Sequence, residues 1–160
     1  MMANMDNLLP GVMQWVPHDS QGYRRAVELR YRVLRKPLGL EFTEAQLAAE
    51  VNDHHLVYLE NGEVLGCLIL TPLDGQRIKM RQVAVDGSRQ GTGIGRRMVQ
   101  YSERFAHDMG YTIIECHARE TAVPFYLGLA WHIVSERFEE VGIPHFKMQK
   151  SLELNRPVSG

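Results

Sequence analysis

The segment Gln90-Gly91-Thr92-Gly93-Ile94-Gly95 follows the apolar run Val83-Ala84-Val85 and opens a long amphipathic stretch. A strand, a turn with three glycines in five residues and a helix start together present a row of main-chain N–H groups. Glycine lets main chain approach a ligand closely, and the unpaired amides of a helix N-terminus favour anions, phosphates above all. Arg89, Arg96 and Arg97 frame the turn with positive charge. These residues predict binding of a phosphorylated cofactor. A P-loop would need Gly-Lys-Ser/Thr, but Gly95 is followed by Arg96-Arg97. A dinucleotide fingerprint would need a third glycine where Arg96 stands, although Glu115 sits where a ribose-binding acid would fall. A turn that binds nothing is the bland alternative. Against it, a glycine within a helix costs about 1 kcal/mol relative to alanine, which suggests a use.

The elements that must position this turn follow from periodicity and punctuation. Gly11 to Val16 reads as a short strand and Gln21 to Arg35 as a helix broken by Pro37 and Gly39, with Thr43 to Val51 helical again. His55 to Glu60 and Val64 to Leu70 are strands joined at Asn61-Gly62, a strong hairpin signal, and Arg77 to Val85 is a third. Thr92 to Met109 carries an apolar stripe of helical spacing closed by Gly110. Tyr111 to His117 is a strand and Thr121 to Ala130 a short helix, with Thr121 as its N-cap and Pro124 in its first turn. Trp131 to Glu139 and His145 to Lys150 form an antiparallel pair. His54 and His55 read as solvated turn residues. The result is an α+β fold, a mixed and mostly antiparallel sheet flanked by helices.

Composition bounds the rest. The 160 residues, 44% apolar with a net charge of −1, suit one domain, with 1–10 and 152–160 as loose tails. No basic excess points to nucleic acid, and no apolar stretch is long enough to point to a membrane. The N-terminus lacks the positive region of a signal peptide, so a cytoplasmic location is expected. Cys67 and Cys116 lie in apolar runs and read as buried thiols, and no histidine–carboxylate set has metal-ligand spacing.

The order of these motifs resembles the GNAT superfamily of N-acetyltransferases. Gln90 to Gly95 is similar to that family's acetyl-CoA motif, and Ala122-Val-Pro-Phe-Tyr126-Leu-Gly-Leu-Ala-Trp131 is similar to its second motif. The ending from Glu139 to Met148 is similar to small bacterial members, so the likeness runs from about residue 15 to residue 150. The resemblance implies a splayed central strand pair. It also implies that main-chain groups of Val83, Ala84 and Val85 pair with the pantetheine arm of acetyl-CoA. The amides of Gln90, Gly91, Thr92, Gly93, Ile94, Gly95 and Arg96 would then hold its pyrophosphate. Tyr126 falls on the family's general-acid position. His117, ending its strand, is the first choice of general base, followed by His145, Glu139 and Glu140. Arg32 and Arg35, in the segment that covers the acceptor side, together with His145, are candidates for binding the acceptor. Ala130 departs from the family's usual glycine, so either it holds a left-handed φ at a cost or the helix exits differently.

The implied reaction is direct acetyl transfer to a primary amine of a small molecule or peptide in a ternary complex. A homodimer rests on family analogy alone. An acyl-CoA-binding module without acceptor chemistry, and a nucleotide- or NAD-binding protein, are the competing readings.

Overall fold

The structure is a computed structural model, described here for residues 10–153. The strands run β1 (Val12–Val16), β2 (His54–Glu60), β3 (Glu63–Pro72), β4 (Arg77–Val85), β5 (Ile113–Arg119), β6 (His132–Ile133), β7 (Phe138–Glu140) and β8 (Ile143–Ser151). The helices are α1 (Gln21–Arg30), α2 (Glu44–Ala48), α3 (Ile94–Asp108) and α4 (Val123–Leu127). The eight strands join in the order β1-β2-β3-β4-β5-β8-β6, with β7 on β8. β4 pairs with β5 in parallel, whereas β1 with β2 and β8 with β5, β6 and β7 pair antiparallel. This is the expected mixed α+β architecture. Two compact units are distinguishable, residues 10–69 with 82–98 and residues 70–81 with 99–153.

In the first unit, β1 lies antiparallel on β2 from Val12↔Leu59 to Val16↔His55. The hairpin to β3 turns through Asn61 (φ +52°) and Gly62 (φ +78°), two left-handed residues whose twist suits a two-residue loop. Ser20 caps α1 by accepting from Tyr23 N, and Ala26 and Leu29 bury against Val57, Val64, Cys67 and Ala84. The regular helix stops at Arg30, not Arg35, and Tyr31–Arg35 forms one wider π turn. That turn brings residues five apart onto one face. Arg30 and Arg35 thereby both reach the Phe42 ring, each guanidinium 4.5 Å from its centroid. α2 is shorter than expected, but Thr43 and Gln46 form a full capping box. Gly66 is required by space: a Cβ there would come within 2.9 Å of Met98 Sδ and 3.0 Å of Ile94 Cγ2. Its absence lets β3 and the first turn of α3 approach closely, which sets where that helix begins.

One buried polar cluster ties α1, α2 and β2. Arg30 donates a fork to Glu50, with Nη1 at 2.9 Å and Nη2 at 2.8 Å from its two oxygens, and Tyr23 Oη donates to Glu50 at 2.7 Å. His55 is buried and bonds Glu50 O at 2.9 Å. His54 and His55 are therefore strand residues, and His55 is no solvated turn residue. A carbonyl five residues back supplies what water would have supplied.

In the second unit, β5 pairs with β8 over its whole length, from Ile113↔Ser151 to Arg119↔His145. Its parallel ladder with β4 runs from Arg77↔Ile113 to Met80↔Cys116, and both strands continue beyond it. Strand alternation puts Ile114 and Cys116 on the face that receives α4, and Glu115, His117 and Arg119 on the other. Thr121 is not a cap. It lies inside a 3₁₀ turn, Glu120–Ala122, and the N-cap is Ala122 with no side-chain bond, while Pro124 does stand in the first turn. Trp131 is no strand residue either: it is buried, donates from Nε1 to Glu103 at 2.9 Å, and precedes the two-residue β6. Leu152 is no loose tail, since it is buried and its N–H bonds Thr112 O at 2.8 Å. The expected tail segments 1–9 and 154–160 lie outside the described residues. Both cysteines are buried and unbridged, as expected.

Candidate active site

The glycine turn sits in the first unit. Gly91 (φ +79°) and Gly93 (φ +95°) are both left-handed, a conformation open to glycine and costly for residues with a Cβ. A Cβ at either would meet nothing within 4 Å, so the main chain here is open to a ligand. Gln90, Gly91, Thr92 and Arg96 are exposed, whereas Ile94 is buried against the gap left by Gly66. The helical bond from Arg97 N to Gly93 O (3.0 Å) marks where the helix takes over, and amides before it belong to the unpaired first turn. The turn is braced: Thr92 Oγ1 donates to Arg89 O at 2.5 Å and Gln90 Nε2 to Val85 O at 3.3 Å. Arg89 is committed to Glu60 through both guanidinium nitrogens, which leaves Arg96 and Arg97 as the flanking cations nearest in sequence. Just upstream, Ala84 is buried in the core while Val83 and Val85 are half-buried. Gln82 before them holds a left-handed φ of +54°, and its buried Oε1 has no hydrogen-bond partner. Nothing in the sequence signalled that residue.

The second unit holds the candidate acid and base. Tyr126 is buried among Phe125 and Trp131, and its hydroxyl is hydrogen-bonded to the Cys116 thiol. Burial, and then the neighbouring thiol, push the phenol well above its ordinary value of 10.0, so it stays protonated at neutral pH. Burial likewise pushes the Cys116 thiol up to about 12, which makes it a neutral group and a poor nucleophile. On the opposite face of β5, His117 Nδ1 lies 2.9 Å from Glu140 Oε1 and 3.5 Å from Lys79 Nζ, with its side chain 28% exposed. Burial raises the Glu140 carboxyl, but hydrogen bonding to His117 and the charges of His117, His145 and Lys79 outweigh it, and the net shift is downward. His145 is buried, bonds Ile143 O through Nδ1 at 2.7 Å, and brings Nε2 to 3.9 Å from Glu140. The structure thus brings His117, Glu140 and His145 together, and Glu139 lies beside them on β7. Lys79 was missed, because a lone lysine on a strand carries no signal until β4 and β5 pair.

The acceptor candidates fare differently. Arg32 is half-exposed and pairs with Asp86 at 3.2 Å, and Arg35 stands over Phe42. Both arginines have a structural occupation within the first unit. Among the described residues no group of three or more His, Cys, Asp and Glu side chains is placed to hold a metal ion. No helix among them is long and apolar enough to cross a membrane. The Ala130 alternatives resolve plainly: φ is +69°, so the alanine holds the left-handed position itself.

Fold and turn together have the architecture of an acetyltransferase. The family model described as acetyltransferase (GNAT) domain matches residues 31–152, and the chain belongs to that family of acetyltransferases. The uncharacterized protein YyaT of Bacillus subtilis (strain 168) is 31% identical over 116 residues, 72% of this chain and 76% of YyaT. An acyl-CoA N-acyltransferase of Pseudomonas aeruginosa superposes with a TM-score of 0.73 at 21% identity, covering 88% of this chain and 99% of that one. An aminoglycoside 6′-N-acetyltransferase solved with coenzyme A superposes with a TM-score of 0.76 at 15% identity, covering 91% and 99%.

Proposed function

We propose that this chain transfers the acetyl group of acetyl-CoA to a primary amine by direct attack in a ternary complex. Tyr126 is the general acid and His117 the general base. The observation that carries the reading is the alternation along β5, which gives Tyr126 a sulfur partner on one face and His117 a carboxylate partner on the other. With the Glu140 carboxylate as acceptor at Nδ1, a neutral His117 ring carries its proton there and turns the Nε2 lone pair to the incoming amine, which supports the base role. The amine nitrogen gives its proton to Nε2 as the C–N bond forms. The C–S bond then breaks, and the departing thiolate takes the Tyr126 proton. The phenol carries the proton that step needs, and the neutral Cys116 thiol speaks against an acetyl-cysteine intermediate. In the first unit, the turn amides of residues 90–96 hold the pyrophosphate and the main chain of Val83 and Val85 pairs with the pantetheine arm. The coenzyme A in the aminoglycoside enzyme supports that choice of co-substrate.

Calorimetric titration with acetyl-CoA, with NADH and ATP as controls, tests the co-substrate, and thiol release across an amine panel tests the chemistry. Tyr126→Phe should lower kcat at least tenfold while acetyl-CoA affinity changes little. Unchanged turnover would remove Tyr126 from the acid role. Acetyl-CoA binding with no acetyl product from any amine would leave a binding module.

A further inference from the structure

Resting on the transferase reading, we propose that the acceptor is a compact amine carrying a carboxylate a few bonds from its nitrogen, and that Lys79 binds that carboxylate. Arg77, Lys79 and Lys147 are among the cations that strand alternation puts on the face of the second unit that carries His117, with Arg81 and Arg119 further along the same strands. The buried carboxylate of Glu115 takes two of them, Arg77 at 3.4 Å and Lys147 at 3.3 Å, and Arg77 also bonds Asp74. Lys79 is half-buried, and among the described residues no carboxylate lies within ion-pair distance of it. Nζ lies 3.5 Å from His117 Nδ1, but the proton of that nitrogen goes to Glu140, so the ring offers Lys79 no acceptor there. Burial lowers the affinity of the Lys79 amine for its proton, and Arg81 adds to that, against the opposing charges of Glu140 and Glu115. A desolvated cation short of a counter-charge gains most from an anionic ligand.

The geometry then limits the ligand's size. A carboxylate on Lys79 Nζ would sit about 2.8 Å away, and an amine on His117 Nε2 about 3 Å away. Nζ lies one imidazole ring and 3.5 Å from that base. Both ligand groups must therefore belong to one small framework, as in an α- or β-amino acid. A diamine or polyamine would bring a second cation against Lys79 and be rejected.

The test compares free amino acids with their carboxamides and with a diamine, read as kcat/KM by thiol release for the wild-type chain, Lys79→Met and Lys79→Arg. The best amino acid should exceed its carboxamide at least tenfold, through KM. Lys79→Met should abolish that preference, read as the ratio of amino-acid to carboxamide kcat/KM within each protein, and Lys79→Arg should restore most of it. Equal use of carboxamide or diamine, or a preference surviving Lys79→Met, would overturn the proposal. Calorimetric binding of the N-acetylated amino acid against its carboxamide repeats the comparison without catalysis. Carboxylate-dependent binding lost in Lys79→Met supports the carboxylate site even where no amine is acetylated, a result that would sink the transferase reading alone. Carboxylate-independent binding, or none, overturns the site.

Discussion

Ala130→Gly should stabilise the protein, by an amount that can be worked out within the chain. Three helical segments end alike. The N–H of Leu40 bonds Arg35 O, that of Tyr111 bonds Ala106 O and that of Trp131 bonds Tyr126 O, each six-to-one. The residue before each closes a tighter bond three residues back: Gly39 to Lys36 O, Gly110 to His107 O and Ala130 to Leu127 O. These are Schellman ends, whose penultimate residue is left-handed, with φ of +69°, +97° and +69°. Two positions hold glycine and the third alanine. A left-handed alanine costs about 1–2 kcal/mol, against about 0.4–1 kcal/mol for the extra freedom glycine gives the unfolded chain. Ala130 is exposed, so its methyl contributes little packing. The net gain is about 0.5–1 kcal/mol, or a rise in Tm of roughly 1–4 °C for a chain of this length. Gly110→Ala, where a Cβ meets nothing within 4 Å, should lose a similar amount. Urea unfolding of the three proteins measures both. A neutral or destabilising Ala130→Gly, with Gly110→Ala destabilising as expected, would refute the argument that φ decides the cost.

Three further outcomes are expected. Gly93→Val puts a branched side chain at φ +95°, and acetyl-CoA affinity by calorimetry should fall at least tenfold with the fold retained; unchanged affinity would refute the main-chain cradle. Glu50→Gln leaves the Arg30 guanidinium, only 1% exposed, without its counter-charge, and should cost about 3–5 kcal/mol in urea unfolding, with Arg30→Met and Glu50→Leu combined recovering most of it. The His55 ring is held below its ordinary value of 6.5, burial outweighing its bond to Glu50 O and the charges of Glu50 and Asp53. Above pH 6.5 neither folded nor unfolded state is charged there, but below it the unfolded chain takes up a proton the folded ring refuses. Stability should fall as pH drops below that value, and His55→Gln should flatten that part of the profile; an unaltered profile would show that other groups set it.

What the sequence made legible was local. Asn61-Gly62 and the glycine turn announce themselves because only a few residue types accept left-handed φ, and three of those residues are glycines. Hidden features depend on partners distant in the chain. His55 looks solvated beside His54 and Asp53 until Glu50 and Tyr23 close over it. The His117–Glu140 pair spans 23 residues and exists only because β7 and β5 both pair with β8. Thr121 is a good capping residue by type, but a 3₁₀ turn places it too early to cap. Lys79 acquires meaning only from the parallel register that sets it opposite Glu115, two residues from His117 on the same face.

Arg30 and Glu50 are each nearly sealed from solvent, so neither can be uncovered alone without stranding a charge. α2, five residues long, is too short to persist as an isolated helix. The stretch from Lys36 to Glu50, which by its brevity and loops resembles a flap, is therefore latched. Its amides should open to hydrogen exchange in a single event, together with the end of α1 and at the free energy of the core rather than that of a surface loop.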